Sequence, residues 1–347
     1  HRHLERQPLQ QEEHLCRRHC QHGDRHLHTR PNSSKQTSSI MHWINQGMLS
    51  LKNIEKILAS GKPVVWTMHD MWPCTGICHH ARECTHYQQE CHNCPFIHGG
   101  GGKRDLSYRI FHKKQALYRN RHINFVTCSR WLEERARTSA LFCGHAVTCI
   151  PNPINTNLFK PRNRQEARSR CLLPQDKKLM LFGSVKITDK RKGIDYLIES
   201  CRLLADKHPE LREQLGVVVF GNQSQQLENL LPFKVYPLNF VSNEHQLVNI
   251  YNAVDIFVTP SLEENLPNTI MEAMACGIPC VGFNVGGIPE MIDHLHNGYV
   301  AQYKSSEDFA NGIYLDADRT RLPQPLGTSL PESHLPLFGE RRRQEIH

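Results

Sequence analysis

No stretch of this 347-residue chain approaches the roughly 20 consecutive apolar residues that a membrane-crossing helix needs. Residues 1–39 have no Val, Ile, Phe, Met, Trp or Tyr, only four leucines among seven histidines and six arginines. Without an apolar run there, the sequence reads as having no secretory leader. Without helical or strand periodicity, the same stretch cannot bury apolar surface and is expected to stay unpacked. Residues 316–347 are similar, with Pro323, Pro325, Pro331, Pro336 and a charged run at 339–343. Both ends fit two readings equally: natural disordered tails, or non-native sequence such as a shifted reading frame. No internal repeat is present.

What is there lies between the ends. Apolar residues make up 39% of the chain, and the shortfall against an ordinary globular protein sits in the two tails. Lys and Arg number 42 against 34 Asp and Glu, a formal net charge of +8. So diffuse a surplus fits anionic small substrates or an anionic membrane surface. With no basic patch interleaved with aromatics, no nucleic-acid partner is expected. The chain has 14 cysteines. In a leaderless chain these read as thiols or metal ligands before disulfides, and a cytoplasmic location is expected.

Short apolar runs at 63–68, 123–128, 146–150, 179–182, 217–220, 254–259 and 279–285 read as buried strands. Helical patterns at 194–204, 244–253 and 269–275 separate the later ones. Strands alternating with helices predict an α/β chain of parallel sheets built from βαβ units, with a boundary near 151–161. Such sheets bind ligands beyond the carboxyl ends of their strands.

The most informative segment is 259–287, TPSLEENLPNTIMEAMACGIPCVGFNVGG. It predicts strand, loop, helix and strand, with Asn268 as N-cap, Thr269 in the first turn and Gly277 as C-cap. The unpaired first N–H groups of such a helix can hold phosphate oxygens. Two carboxylates, Glu264 in the loop and Glu272 in the helix, are acceptors suited to vicinal hydroxyls of a sugar or ribose. A second element, GSVKITDKRKG at 183–193, follows the strand at 179–182 with four cations, among them Arg191 and Lys192. Fixed cations there would stabilise a departing diphosphate. Gly221 ends another strand, where it allows close backbone approach to a nucleotide base or simply turns the chain. The pair Gly286-Gly287 lines the same edge or only turns it.

Glu264 and Glu272 within PSLEENLPNTIMEAMACGIPCV resemble the E-x7-E motif of family-4 retaining glycosyltransferases, and GFNVGGIPEMI and NGYVA (297–301) resemble that family's downstream pattern. The likeness is nearest to bacterial transferases of exopolysaccharide, colanic-acid-type, capsule or lipopolysaccharide synthesis, and spans about residues 40 to 315. It implies GT-B architecture: two Rossmann-like parallel-sheet domains facing a cleft. It also implies transfer from a nucleoside diphosphate sugar to a carbohydrate or lipid-linked acceptor with retention, and no metal for donor binding. By resemblance Glu264 meets the donor sugar, Glu272 the ribose, and Lys192, just before Gly193, the diphosphate. The family's usual Gly-Arg is Gly183-Ser184 here, so the Arg role passes to Arg191 or a nearby Lys. His69, ending the strand at 63–68, takes the place of a family His near the reacting sugar; its alternative is a structural role.

The resulting expectation is four segments: 1–39 disordered or non-native; 40–155 a partial acceptor-side domain with a Cys-rich loop; 156–315 a nucleotide-sugar donor domain; 316–347 disordered or non-native. The N-terminal domain is expected to be incomplete, since 1–39 supplies no opening strand or Gly-rich loop. In WPCTGICHHARECTHYQQECHNCP, Cys78, Cys84, Cys91 and Cys94 form a candidate quartet for a structural zinc. Free thiols or disulfides are the alternatives. Peripheral contact with the inner membrane face is a further expectation, because lipid-linked acceptors lie there. Two other functions stay open: a catalytically dead truncated copy that at most binds nucleotide, and a nucleotide-sugar epimerase of the same architecture.

Overall fold

The computed structural model describes residues 38–44 and 48–318; the expectations for 1–37 and 319–347 lie outside the described residues. The chain forms two compact units divided after Pro151.

In the first unit, β1 (Ser39–Met41), β2 (Val64–Met68), β3 (Ile123–Thr127) and β4 (Ala146–Cys149) form a parallel sheet in that order. Three helices accompany them: α1 (Leu51–Leu58), α2 (Leu106–Tyr118) and α3 (Arg130–Arg137). Each begins where a short polar side chain accepts an otherwise orphaned N–H of its first turn: Ser50 from Asn53, Asp105 from Tyr108, Ser129 from Leu132. Along β2 the alternation sends Val64, Trp66 and Met68 inward. Trp66 packs against the rings of Trp72, Tyr118 and Phe125, with centroids 5.8–6.4 Å away. A cation lies within this core. Lys114 is fully buried, and its Nζ donates to the carbonyls of Trp72 (2.5 Å) and Thr75 (3.0 Å) over the Trp72 ring. These bonds offset the cost of burying the ammonium and tie α2 to the segment that follows β2.

The second unit holds β5 (Lys178–Lys186), β6 (Leu215–Asn222), β7 (Lys234–Pro237), β8 (Ile256–Thr259), β9 (Cys280–Phe283) and β10 (Gly298–Ala301). All are parallel, in the order β10-β9-β8-β5-β6-β7. The helices of eight residues or more are α4 (Arg164–Cys171), α5 (Ile194–Lys207), α6 (Glu244–Ala253), α7 (Asn268–Ala275) and α8 (Ser306–Asp318). Every residue of β8 and β9 is buried, as expected of strands covered on both faces. The first strand, β5, is central: the chain winds outward through β6 and β7, then returns to lay β8 on its other side. Strand order therefore reverses between β5 and β8, and the crevice at such a switch point is where open α/β sheets bind ligands.

Two strands are shorter than the apolar runs suggested: 254–259 pairs only from Ile256, and 279–285 ends at Phe283. Asp255 explains the first. Its carboxylate accepts from Arg164 (2.6 Å), Arg168 (2.7 Å) and the Leu179 N–H (2.7 Å), a buried ionic clamp at the mouth of the strand.

Candidate functional site

Three loops meet at the switch point of the second unit. The loop after β5 carries Arg191, Lys192 and Gly193; the loop after β8 carries Glu264 and Asn265; the loop after β9 carries Gly286 and Gly287. Backbone bonds join them: Leu262 N donates to Arg191 O (2.7 Å) and Gly287 N to Asn265 O (2.7 Å). Two glycines make the approach possible. Gly193 (φ +70°) lies against the Pro260 carbonyl and Gly286 (φ +58°) against the Glu264 carbonyl, each so close that a Cβ would overlap the oxygen. Gly286 thus supports the Glu264 loop as well as turning the chain.

This closeness brings Lys192 and Glu264, 72 residues apart in sequence, into a direct ion pair. Arg191 is turned onto its neighbour Asp189, giving Nε and Nη2 to the carboxylate at 3.2 and 2.8 Å. Burial pushes the Asp189 carboxyl up, but bonds and charge from Arg191 outweigh it and hold the group below its usual value. Both cations singled out in the sequence therefore already face a carboxylate. Asp189 was not singled out; its signal is its position, since it caps the turn at Lys190–Lys192 by accepting from the Arg191 N–H.

The helix after β8 corrects the capping expectation. Pro267, not Asn268, is the N-cap; Asn268 is the first helical residue, and no side chain caps the end. Cys276 is the C-cap, and Gly277, with φ +79°, follows it. A proline before the helix already fixes the backbone at the entry. Asn268 and Thr269 thus supply the first two backbone N–H groups, which the helical ladder leaves unused. The Asn268 side chain is exposed, its Oδ1 3.3 Å from Asn152 Nδ2. One turn on, Glu272 is half-buried and accepts at Oε2 from the Tyr251 hydroxyl at 2.8 Å. Burial raises the Glu272 carboxyl above its usual value, Glu244 adds to the rise, and the Tyr251 bond opposes it. Tyr251 carries no motif of its own in the sequence. Gly221 stands at the end of β6, its N–H donating to Asn239 O (2.7 Å) and its α-carbon against the Ser184 carbonyl.

In the first unit, residues with acid–base or thiol chemistry end all four strands: His42 after β1, His69 after β2, Cys128 after β3, and Cys149 in β4. His69 Nε2 is 3.4 Å from His42 Nδ1, and its Nδ1 is 3.6 Å from Cys128 Sγ. Burial first, then His42, lowers the His69 pKa, with Asp70 opposing. Asp70 is itself anchored, accepting from His79 Nδ1 (2.7 Å), Trp72 N (2.8 Å) and Trp43 Nε1 (3.0 Å). Burial pushes Asp70 up, but those bonds win and hold it below its usual value. His42 was not singled out, because a His one residue beyond a three-residue strand carries no pattern.

In the Cys-rich loop the thiols have different partners. Cys78 bonds to Cys94 and draws its thiol down to about 7. Cys91 accepts from Gly76 N (3.3 Å), and burial pushes its thiol up to about 12. Cys84 is only partly buried. Among the described residues, no three His, Cys, Asp or Glu side chains are disposed to hold one metal ion. The quartet Cys78, Cys84, Cys91 and Cys94 is thus not gathered around one ion position as the loop stands. The described cysteines are all free thiols.

Residues 163–315 match the family model described as glycosyl transferases group 1. Among curated proteins the chain is similar to an uncharacterized glycosyltransferase of Haemophilus influenzae, 31% identical over 156 residues, 43% of this chain and 44% of that one. It is also similar to a D-inositol 3-phosphate glycosyltransferase of Saccharomonospora viridis, 29% identical over 209 residues, 57% of this chain and 48% of that one. The chain thus spans about half the length of the curated relatives it matches. Among solved structures it is similar to sucrose-phosphate synthase from Thermosynechococcus elongatus, with TM-score 0.57, 20% identity, and coverage of 82% of this chain and 66% of that one. It is also similar to Anabaena HepE in complex with UDP and glucose, with TM-score 0.54, 19% identity, and coverage of 78% and 68%. These likenesses show the fold: α/β with two parallel-sheet domains, of the GT-B kind. Among the described residues, no helix is long and apolar enough to cross a membrane.

Proposed function

We propose that this chain is a group 1 glycosyltransferase whose second unit binds a nucleoside diphosphate sugar and moves the sugar, with retention, to a carbohydrate or lipid-linked acceptor in cell-surface polysaccharide synthesis. One observation carries the reading: Lys192, Glu264 and the N-terminal end of α7 meet at the switch point of the six-stranded sheet. A diphosphate is a dianion or more, and this place offers it a lysine and two helix N–H groups. The match over 163–315 supports the reading, and the UDP and glucose held by HepE put uridine nucleotides first among the donors to try.

The residues then divide the ligand between them. Lys192 and Arg191 take the diphosphate, leaving Asp189 and Glu264 as the charge rises on the departing oxygens. Asn268 and Thr269 N–H groups take a phosphate oxygen. Glu264, once released from Lys192, accepts from hydroxyls of the donor sugar, and Glu272 accepts from the ribose. Gly221 leaves room for the base. His69, lowered and therefore neutral at pH 7, offers a hydrogen bond to the reacting sugar. Charged side chains hold the diphosphate, so the donor needs no metal. The enzyme works at the cytoplasmic face, where lipid-linked acceptors lie.

The test is a thermal-shift panel on the full chain with UDP, GDP, ADP and dTDP and their sugars, repeated on Glu272→Ala. A ligand that binds only the folded state raises the melting temperature by linkage. A rise with one diphosphate that the variant loses is the expected result. A cooperative melt that none of the ligands moves rules the donor site out.

A further inference from the structure

A carboxylate that reads ribose must keep an oxygen open and stay ionised, and the burial of Glu272 works against the second requirement. The groups around it decide both. From α6 come the Tyr251 hydroxyl, 2.8 Å from Oε2, and the carboxylate of Glu244. Beyond Tyr251 lie the Cys276 and Cys280 thiols, both pushed up by burial, Cys276 to about 12, so neither carries charge at neutral pH. Tyr251 is fully buried, its ring set between Phe159 and Phe257 with centroids 6.4 and 6.0 Å away. A ring so packed cannot swing its hydroxyl away, and burial keeps the phenol protonated, so the hydroxyl is a fixed donor. Glu272 Oε1 makes no hydrogen bond among the described residues.

We propose that Tyr251 is the positioning residue of the nucleotide site: it holds Glu272 by Oε2 and so presents Oε1 to the vicinal hydroxyls of a ribose, which makes the site selective for ribonucleoside over deoxyribonucleoside diphosphates. The inference rests on the donor-site reading above and adds a residue and a specificity to it. Tyr251 makes no contact with the ligand. Its bond also lowers the Glu272 pKa, which burial and Glu244 raise, so it extends to lower pH the range over which Glu272 can accept from a hydroxyl.

The experiment is calorimetric titration of the full chain and of Tyr251→Phe with UDP, GDP and ADP and with their 2′-deoxy and 3′-deoxy forms, between pH 5 and 8. For the native chain one ribonucleotide should bind about tenfold or more tighter than its deoxy forms, the worth of a hydrogen bond to a charged group. In Tyr251→Phe the ribonucleotide should weaken by about tenfold and the deoxy forms little, so that the preference largely disappears. The acid-side loss of ribonucleotide binding should begin at higher pH, because a lowering influence on Glu272 is gone; protonation of the nucleotide is common to both proteins and cancels. A folded Tyr251→Phe with native preference and native pH profile overturns the proposal. If Tyr251→Phe does not fold, site-specific fluorination of the Tyr251 ring keeps the shape and makes the hydroxyl a stronger donor. The acid-side loss must then move to lower pH, and an unmoved profile overturns the proposal. If the native chain binds none of the nucleotides, the donor-site reading fails and this inference with it; ribonucleotide binding without a role for Tyr251 sinks the inference alone.

Discussion

The carboxyl edges of the two sheets do different things with the same geometry. In the second unit the edge is ionic. Lys192 faces Glu264, Arg191 faces Asp189, and glycine contacts press the loops together. In the first unit the edge is made of imidazoles and a thiol. His42, His69 and Cys128 stand in a row, burial lowers His69, and the neighbouring carboxylate, Asp70, is taken up by Trp43, Trp72 and His79. An edge of exchangeable ion pairs suits a ligand that brings its own charge. An edge of imidazoles and a thiol suits the placing of hydroxyls. If that division is right, changes in the second edge should alter nucleotide binding, and changes in the first should alter stability or proton affinity while nucleotide binding stays native.

The largest effect is expected from Lys192→Ala. Loss of a fixed cation at a departing diphosphate should lower kcat by about 10²–10³-fold with little change in melting temperature. Steady-state transfer with the donor found in the ligand panel checks it, and a loss under threefold would break the comparison on its ionic side. Next comes Asp70→Asn, which puts an amide among three donors in the first core and should cost about 3 kcal/mol in urea unfolding. Because the folded Asp70 is held low, its contribution is complete above the ordinary carboxylate pKa of about 4 and is lost as pH falls through the lower folded value. The Asn variant should lack that acid-side loss. Lys114→Met should cost about 2 kcal/mol, since it removes the ammonium that donates to the Trp72 and Thr75 carbonyls, and should leave nucleotide affinity unchanged. The smallest effect is that of His42→Gln. The His69 imidazole should titrate at higher pH once the charge of His42 is gone, as read from its ring proton resonances.

The sequence carried the second sheet well because its strands announce themselves. Runs such as 217–220 and 256–258 are wholly buried and wholly apolar, and the helix at 244–253 ends where the pattern ends. The first unit was harder to read. Strand β1 has three residues, with Ile40 largely exposed; in the second unit β7, four residues ending in Pro237, was as faint. Helix α2 hides its inward face by placing Lys114 there, and α3, RWLEERAR, reads as charge with only Leu132 and Ala136 buried. The site residues that carry a local motif were visible, as Glu264, Glu272 and Lys192 were. What a linear pattern could not give was pairing: Lys192 with Glu264 across 72 residues, or Tyr251 with Glu272 across 21. In the Cys quartet, whose spacing suggested a single centre, the folded loop joins Cys78 to Cys94 while Cys91 accepts from the Gly76 N–H. Capping at α7 was misread because Pro267 sets the entry before Asn268 can.

Hydrogen exchange of the full chain, with and without millimolar UDP, GDP or ADP, tests the central claim most directly, because it locates the ligand without requiring turnover. The account predicts that one nucleotide slows exchange at 183–193 and 260–272 and leaves the Cys-rich loop at 74–97 unchanged. Protection confined to the first unit, or none in either loop with any nucleotide, would contradict it.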